Sequence, residues 1–250
     1  MPKMPRFQGV LPGRAEQPDS LLDSLRAGKS GNLQKPVTPP QIFLEFRPII
    51  CDSFSKPMVH PHTEVRLIDE KVGHGLFATR LIPRGTITWT RCEFDRTFSQ
   101  EEVASLAPDY RRIVEIFSYI DTEGKSVLCW DGARNINHSC EANTLSIIHS
   151  VDIAIRDIQP NEQITCEYGN CNLIEELECL CLAPGCRGKI GRLDALNHGT
   201  TWDELVRLSL PEVTQVAQPL LPFVRERTLL DEILKGQSAI RSHVSYYLPP

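Results

Sequence analysis

The chain has 250 residues, of which 41% are hydrophobic and 24% are charged. This composition is typical of a folded protein with one sizeable domain plus appendages, and it excludes a fibrous or largely disordered chain. No stretch approaches the roughly 18 to 20 apolar residues that cross a bilayer, and the N-terminus lacks the apolar core of a signal peptide. We therefore expect an intracellular protein without a membrane partner, in the nucleus or the cytoplasm.

Charge and cysteine content narrow the choice of partners. The chain carries 27 Lys and Arg against 32 Asp and Glu, which gives a net charge of −5. A nucleic-acid-coating protein needs a basic surface, so we expect no direct nucleic-acid partner. The nine cysteines are an odd number, and in a reducing compartment they favour metal ligation over a disulfide framework.

Residues 1–62 form the first predicted segment, a flexible arm. Ten of the nineteen prolines lie before Thr63, in a stretch that also mixes Gly, Ser and Gln with scattered charges. Such a composition buries too little apolar surface to fold alone. Within the arm, Ser20–Leu25 could form one helical turn and Ile42–Phe46 could be a strand that docks on the rest.

Residues 63–170 form the second segment, predicted to be a mainly β domain. Short β-type runs alternate with turn residues, and the predicted strands are Val65–Ile68, Leu76–Ala78, Thr86–Trp89, Ser126–Trp130 and Val151–Ile155. A helical insert is expected after Ser99 and Glu102, which make a capping box, and over Pro108–Phe117. Many short strands without regular intervening helices argue against a parallel βαβ sheet.

The C-terminal part is predicted to be helical. After a cysteine-rich segment at residues 171–192, residues 193–250 show helical periodicity, with a second capping box at Thr201 and Glu204. An apolar face follows from Leu220 to Leu234 and stops at Gly236. We expect a helical appendage that covers one side of the main domain.

Four closely spaced cysteines indicate a metal site. Cys179, Cys181 and Cys186 form a Cys-x-Cys-x4-Cys pattern, with Cys171 upstream. Such a density of thiolates suits one structural, tetrahedral Zn²⁺, which takes four ligands. The fourth ligand could be Cys171, by spacing, or the more distant Cys140 if the fold brings it there, and the residues alone leave both open.

Three further segments could carry chemistry or be ordinary local structure. Asn137-His138-Ser139-Cys140, preceded by Arg134, is either a polar site or an exposed turn, because so many polar groups are costly to bury without partners. Gly73-His74-Gly75 is either a tight turn or a place where main-chain amides approach a ligand; it lacks the third glycine and the helix of a dinucleotide site. Tyr168, in Ile164–Gly169, could be a strand-end aromatic residue.

Taken in order, these segments resemble the SET-domain family of protein lysine methyltransferases, in the form of its small microbial or fungal members. The resemblance rests on Gly73–Ala78 with Ile82–Thr86, on Arg134–Asn143, on Glu162–Tyr168, and on Cys179–Gly188, which is similar to the family's post-SET zinc motif. It covers about Glu64 to Gly191. It implies a fold of small curled β-sheets with a pseudoknot that brings the central and tyrosine segments together.

The resemblance also implies the roles of individual residues. S-adenosylmethionine would be the methyl donor, its methionine end held by the backbone of Gly73, His74 and Gly75, and its adenosine and amino group by Asn137 and His138. Arg134 belongs to the same expected cofactor site. Tyr168 would lie beside the transferring methyl group and act as the catalytic residue.

Two more expectations follow from the resemblance. One structural zinc would be bound by Cys140, Cys179, Cys181 and Cys186. Cys166 would line the substrate channel with Tyr168, at a position where relatives usually have Phe or Tyr. Its smaller side chain would leave room for more than one methyl group.

We thus expect an enzyme that transfers a methyl group from S-adenosylmethionine to a lysine amine in a protein or peptide, with histones among the candidate substrates. The alternatives are a catalytically inactive SET module that serves as a binding scaffold, and a methyltransferase with a non-protein acceptor.

Overall fold

The computed structural model describes residues 58–249. The candidate helical turn at Ser20–Leu25 and the candidate strand at Ile42–Phe46 lie outside these residues. The described part is built from short strands in four small sheets, with helices concentrated in one insert and at the C-terminus. No helix within residues 58–249 combines the length and the apolar character needed to span a membrane.

The strands are β1 (Thr63–Asp69), β2 (Gly73–Ala78), β3 (Ile87–Thr90), β4 (Arg96–Phe98), β5 (Ser118–Ile120), β6 (Ser126–Leu128), β7 (Asn137–His138), β8 (Thr144–Ile148), β9 (Val151–Ala154), β10 (Gln163–Cys166), β11 (Leu177–Glu178) and β12 (Lys189–Ile190). The helices are α1 (Gln100–Ser105), α2 (Pro108–Phe117), α3 (Asp194–Val213) and α4 (Arg227–Leu234). The expectation of small sheets with helical additions is confirmed.

The first sheet brings three of the sequence motifs together. Its strand order is β1-β2-β10-β7, and β10 runs parallel to β7, with Thr165 opposite Asn137 and Cys166 opposite His138. A parallel pair cannot be closed by a hairpin, so the chain between the two strands must cross over. The crossover is the β8–β9 hairpin, which belongs to a different sheet.

The second sheet and the C-terminal helices share one hydrophobic core. Its strand order is β3-β9-β8, and Ile147, Val151 and Ile153 are fully buried against α3 and α4. The helices contribute Trp202, Val206 and Leu230 among others. Residues 193–248 therefore cover one side of the main domain by completing its core.

The third sheet carries the helical insert. Its order is β4-β6-β5, and α1 and α2 pack on it through Val103 and Val114. The expected capping box is present, because Ser99 Oγ accepts a hydrogen bond from the Glu102 N–H at 3.1 Å while the Glu102 carboxylate accepts the Ser99 N–H at 2.6 Å.

Two local predictions were wrong. Thr201 and Glu204 do not cap a helix, because α3 begins at Asp194 and runs through them; the buried residues Trp202 and Val206, one turn apart, keep this stretch helical. Gly73-His74-Gly75 is the start of strand β2, and the turn lies just before it. Gly75 is paired with Arg66 in the strand ladder.

The folded region includes the first described residues. Met58 and Val59 are buried, Val59 is bridged to Trp89, and Asp131 accepts a hydrogen bond from the Met58 N–H. The backbone entering at Met58 is therefore fixed to the core before β1 begins.

Candidate active site

The glycine segment and Asn137 are in direct contact. Asn137 Nδ2 donates a hydrogen bond to the His74 carbonyl oxygen at 2.9 Å. A Cβ atom at Gly75 would lie 2.7 Å from Gln163 Nε2 and 3.2 Å from Asn137 Nδ2, which is closer than a side chain tolerates. Glycine at position 75 lets the side chains of Gln163 and Asn137 approach the β2 backbone closely; Gly75 is itself buried, whereas Gly73 is half-buried and His74 is exposed.

His138 joins the glycine–Asn137 region to the tyrosine and the thiols. Its Nδ1 accepts a hydrogen bond from the Tyr168 N–H at 3.2 Å, and its Nε2 lies 3.3 Å from Cys140 Sγ. Burial and the positive charge of Arg187 together lower the pKa of His138 to about 4. His138 is therefore neutral at pH 7, with its proton on Nε2, and its 3.3 Å approach to Glu167 is not an ion pair.

Tyr168 lies at the start of a 3₁₀ turn over Tyr168–Asn170. The turn is capped by Glu167, whose carboxylate accepts the Gly169 N–H at 2.9 Å. The Tyr168 hydroxyl donates to the Ile136 carbonyl oxygen at 3.0 Å. Burial raises the pKa of Tyr168 far above its usual range, so the hydroxyl stays protonated at neutral pH and remains a donor.

Four thiols converge from two distant parts of the chain, and we call them the thiol cluster: Cys140, Cys179, Cys181 and Cys186. Cys140 Sγ is 3.7 Å from Cys179 Sγ, and the Cys140 N–H donates to Cys181 Sγ at 3.5 Å. The Cys186 thiol influences the pKa values of Cys179 and Cys181, whereas the ligand atoms that all lie within 4.8 Å of one another belong to His138, Cys140, Cys179 and Cys181. Main-chain N–H groups of Arg187 and Gly188 donate to Cys140 Sγ and Cys186 Sγ at 3.3 and 3.4 Å.

Cys171 is apart from the thiol cluster. Its Sγ contacts the Glu167 carbonyl oxygen at 3.9 Å, and it lines a cavity on the other side of the tyrosine segment. Burial raises the pKa of Cys171 to about 12, so it is a neutral thiol. Of the two candidates for the fourth position beside Cys179, Cys181 and Cys186, only Cys140 is near them.

The cavity has a volume of about 190 Å³, and the end of α2 contributes to its lining. Tyr168, Cys166 and Arg134 line it, as do Tyr119, Trp89 and several further residues. Gly73, His74, Gly75, Asn137 and His138 do not line it. The structure thus separates the predicted site residues into a cavity group and a group on the neighbouring sheet, with the Tyr168–His138 contact between them.

Part of the cavity lining is aromatic, and it contains polar atoms that no sequence pattern predicts. The Tyr119 ring meets Trp89 edge-on at 5.9 Å and His149 at 5.6 Å between ring centroids. Trp89 Nε1, the Tyr119 hydroxyl and His149 Nε2 are buried and have no hydrogen-bond partner among residues 58–249. The only hint was that Tyr119 follows a predicted helix; nothing marked it as a cavity residue.

Comparison with known proteins identifies the domain. Residues 73–169 match the SET domain family. These residues form a SET domain. They include the glycine segment, the Asn137–Cys140 segment and Tyr168, and they end before the three C-terminal cysteines of the thiol cluster.

Several known proteins are similar to parts of this chain. A variant-silencing SET domain-containing protein of Plasmodium falciparum is 31% identical over 135 residues, 47% of this chain and 5% of the relative. The histone-lysine N-methyltransferase TRX1 of rice (Oryza sativa subsp. japonica) is 37% identical over 70 residues, 25% of this chain and 7% of the relative. An H3 lysine-4 specific histone-lysine N-methyltransferase of Debaryomyces hansenii is 39% identical over 66 residues, 22% of this chain and 6% of the relative.

The matched segment therefore spans only a small part of these longer relatives. Among solved structures, the methyltransferase domain of human histone-lysine N-methyltransferase SETMAR aligns with a TM-score of 0.39 and 20% identity, over 53% of this chain and 60% of that one.

Proposed function

We propose that this SET domain transfers a methyl group from S-adenosylmethionine to the side-chain amine of a lysine in a protein. The observation that carries the proposal is the position of Tyr168: its protonated hydroxyl lies in the wall of the cavity, while its main-chain N–H is bonded to His138, beside the Asn137–glycine contact. The names of the rice and yeast relatives, which are histone-lysine N-methyltransferases, support the same reaction class.

The cofactor would bind where Asn137 meets the glycine segment. A Cβ at Gly73 would meet no atom within 4 Å, so the main chain there is open, and the half-buried Asn137 amide is already oriented by the His74 carbonyl. We assign the methionine end to Gly73, His74 and Gly75, and the adenosine and amino group to Asn137 and His138, with Arg134 nearby. When bound, the cofactor supplies a methyl group activated by a sulfonium.

The chain's own task is to orient a neutral amine and exclude water. A lysine side chain in the cavity would lie among residues that include Tyr119 and would reach the Tyr168 hydroxyl and the Ile136 carbonyl. An apolar, buried environment favours the uncharged form of lysine, whose ordinary pKa is about 10.4. Tyr168 holds the amine in position and needs no change in its own protonation.

The thiol cluster would hold one structural zinc. Two ligands of a tetrahedral ion with Zn–S bonds of about 2.3 Å lie about 3.8 Å apart, and the Cys140–Cys179 separation is 3.7 Å. Main-chain N–H donors to the sulfurs suit thiolates. His138 also lies within reach of such an ion, but its Nδ1 accepts the Tyr168 N–H and its Nε2 carries the proton. We therefore assign Cys186 and not His138 as the fourth ligand.

The substrate class is a lysine-containing protein, with histones the first candidates because of the relatives' names. The names of those relatives also favour an intracellular location, in the nucleus. Cys166 lines the cavity where a larger ring would narrow it, and this supports addition of more than one methyl group.

A methyl-transfer assay tests the proposal. Purified protein is incubated with S-adenosylmethionine labelled on the methyl group and with histones, unrelated lysine-rich proteins and small-molecule amines, and products are mapped by mass spectrometry. We expect label on lysine Nζ of a protein. If only a small amine is labelled, the acceptor is a small molecule and not a protein. If nothing is labelled and calorimetry detects no binding of the cofactor, only a scaffold function remains.

A further inference from the structure

Asn172 lies where three segments of the chain meet. These segments are not all within the residues that match the SET domain. Its side chain is buried, with the residue 4% exposed. Asn172 Nδ2 donates to the Tyr246 carbonyl at 2.8 Å and is 3.5 Å from the Ile120 carbonyl, while its Oδ1 accepts the Leu248 N–H at 2.9 Å. One carboxamide thus connects β5, the tyrosine segment and the end of the chain.

Two of these segments are walls of the cavity. Ser118 and Tyr119 of β5 line it from one side, and Tyr168 and Cys171 line it from the other. The Ile120 N–H also donates to the Cys171 carbonyl at 3.1 Å, next to Asn172. Asn172 therefore lies next to the contact between these two walls of the cavity.

The third segment, Ser242–Leu248, is the C-terminal tail, and it is firmly held. Asp203 of α3 accepts the His243 main-chain N–H at 2.8 Å, lies 2.6 Å from His243 Nδ1, and accepts the Ser242 hydroxyl at 2.6 Å. At Gly199 a Cβ would lie 2.8 Å from the Val244 nitrogen, so the tail packs directly on the helix backbone. The Tyr246 ring meets the cavity residue His149 edge-on at 4.8 Å.

Asn172 also has a backbone conformation that needs compensation. Its φ is +49°, in the left-handed region that non-glycine residues rarely adopt. Asparagine tolerates this region because its short side chain can hydrogen-bond to nearby backbone. Here that side chain is directed to the tail, so the turn after Tyr168 and the position of the tail are stabilised by the same group.

We infer that Asn172 is a positioning residue for methyl transfer, which ties the C-terminal tail to the tyrosine segment and so fixes the distance between the two walls of the cavity. This inference rests on the proposed function. Asn172 acts through the placement of Tyr168 and Cys171 and does not itself touch the reacting atoms.

The test compares Asn172→Ala and Asn172→Gly with a matched control. Glycine accepts the positive φ freely, so Asn172→Gly removes the carboxamide without adding backbone strain. Asn161→Ala is the control, because Asn161 also has a positive φ, +68°, but is exposed and bonded to Arg66 far from the tail. Turnover, peptide KM, cofactor affinity and zinc content are measured well below each variant's melting temperature.

We expect kcat to fall at least tenfold in both Asn172 variants, with cofactor affinity and zinc content unchanged and with faster hydrogen exchange at residues 168–173. Asn161→Ala should match the wild type. A folded Asn172→Gly protein with wild-type kcat, or one in which only the melting temperature falls, overturns the inference.

Two further measurements cover the remaining outcomes. If the Asn172 variants do not fold, a chain ending at Tyr247 removes residues 248–250 and with them the Leu248 N–H that Asn172 Oδ1 accepts, and unchanged kcat and unchanged exchange at residues 168–173 there overturn the inference. If the wild type transfers no methyl group, the proposed function fails instead, and exchange at residues 168–173 still decides: equal protection in wild type and Asn172→Gly overturns the positioning role.

Discussion

Arg187 and Glu167 form a two-pronged ion pair that joins the cysteine loop to the tyrosine segment. Arg187 Nη1 and Nη2 lie 3.0 and 2.7 Å from the two carboxylate oxygens of Glu167, and Nη2 also reaches Asp194 at 3.2 Å. Arg187 follows the thiol cluster directly and Glu167 precedes Tyr168. Because the pair is almost fully buried on the Glu167 side, breaking it would leave an unpaired charge, and the two segments are energetically coupled.

The first prediction concerns the metal. We expect one zinc per chain by elemental analysis, and Cys140→Ser should lose most of it because the fourth thiolate is gone. Cys171→Ser is the control: it should keep its zinc and change the free energy of unfolding by only about 1 kcal/mol, since the Cys171 thiol makes just one weak contact. Zinc retained by Cys140→Ser and lost by Cys171→Ser would contradict the assignment.

The second prediction concerns cofactor binding. Asn137→Ala should weaken S-adenosylmethionine binding by about 1 to 3 kcal/mol, because a polar partner is lost on both the cofactor and the His74 side. Isothermal titration calorimetry measures this directly. His74→Ala should leave affinity unchanged, because the His74 side chain is exposed and only its main chain meets Asn137. A larger loss in His74→Ala than in Asn137→Ala would move the cofactor away from the Asn137 amide.

The third prediction concerns Tyr168. Tyr168→Phe keeps the ring and loses the hydroxyl that bonds the Ile136 carbonyl. If that hydroxyl acts mainly in the transition state, kcat should fall about a hundredfold, which corresponds to about 2.7 kcal/mol, while cofactor affinity changes little. Tyr110→Phe, on the exposed face of α2, should behave as the wild type. Near-wild-type turnover in a folded Tyr168→Phe protein would remove Tyr168 from catalysis.

The fourth prediction concerns the number of methyl groups added. Because Cys166 is small, the wild type should give di- or trimethyl-lysine, and Cys166→Tyr should shift the products toward monomethyl-lysine by filling the cavity. Intact-mass analysis over a time course distinguishes the two, with Cys171→Ser as a control at another thiol of the same cavity. Only monomethyl product from the wild type would mean that another side chain closes the channel.

The fifth prediction concerns acid stability. Burial alone would raise the pKa of Asp203, but hydrogen bonds from His243 and Ser242 lower it to about 2. A lowered carboxyl pKa contributes stability above the unfolded value of about 4, and this contribution disappears as the pH falls toward 2. Asp203→Asn should therefore cost about 2 kcal/mol at pH 7 and progressively less below pH 4.

Denaturant titrations between pH 2 and pH 7 measure this dependence. Asp231→Asn is the control, because the Arg227–Asp231 pair on α4 is exposed and worth only a few tenths of a kcal/mol. A cost for Asp203→Asn that stayed constant down to pH 2 would mean that the Asp203 charge does not stabilise the tail.

A structural feature could be predicted from the sequence when the residues that form it are close together along the chain. The capping box at Ser99 and the helix at Pro108 were correct, because the groups involved are within a few residues of one another. The same pattern at Thr201 failed, because the fold buries Trp202 on one side and binds Asp203 to the distant His243. A local motif cannot reveal a contact forty residues away.

Among the features that were not predicted, some have a recognisable sequence pattern and others do not. Strand β8 was missed although Leu145 and Ile147 alternate with polar residues, the period of a half-buried strand. Asn172 lies in no repeating pattern, and the only hint for Tyr119 was that it follows a predicted helix. Cys140 lies near Cys179 because β7 pairs in parallel with β10. The spacing of cysteines along the chain contains no information about this strand pairing.

The second sheet and the C-terminal helices share one core. The segment that must fold together is therefore longer than the segment that matches the family. The family match ends at residue 169, whereas Ile147, Val151 and Ile153 are covered by side chains as distant as Leu230. A fragment cut at the family boundary would expose these side chains to water and should aggregate. Transplanting this domain between proteins therefore requires residues 58–248 to move together, although fewer than 100 of them carry the family's signature.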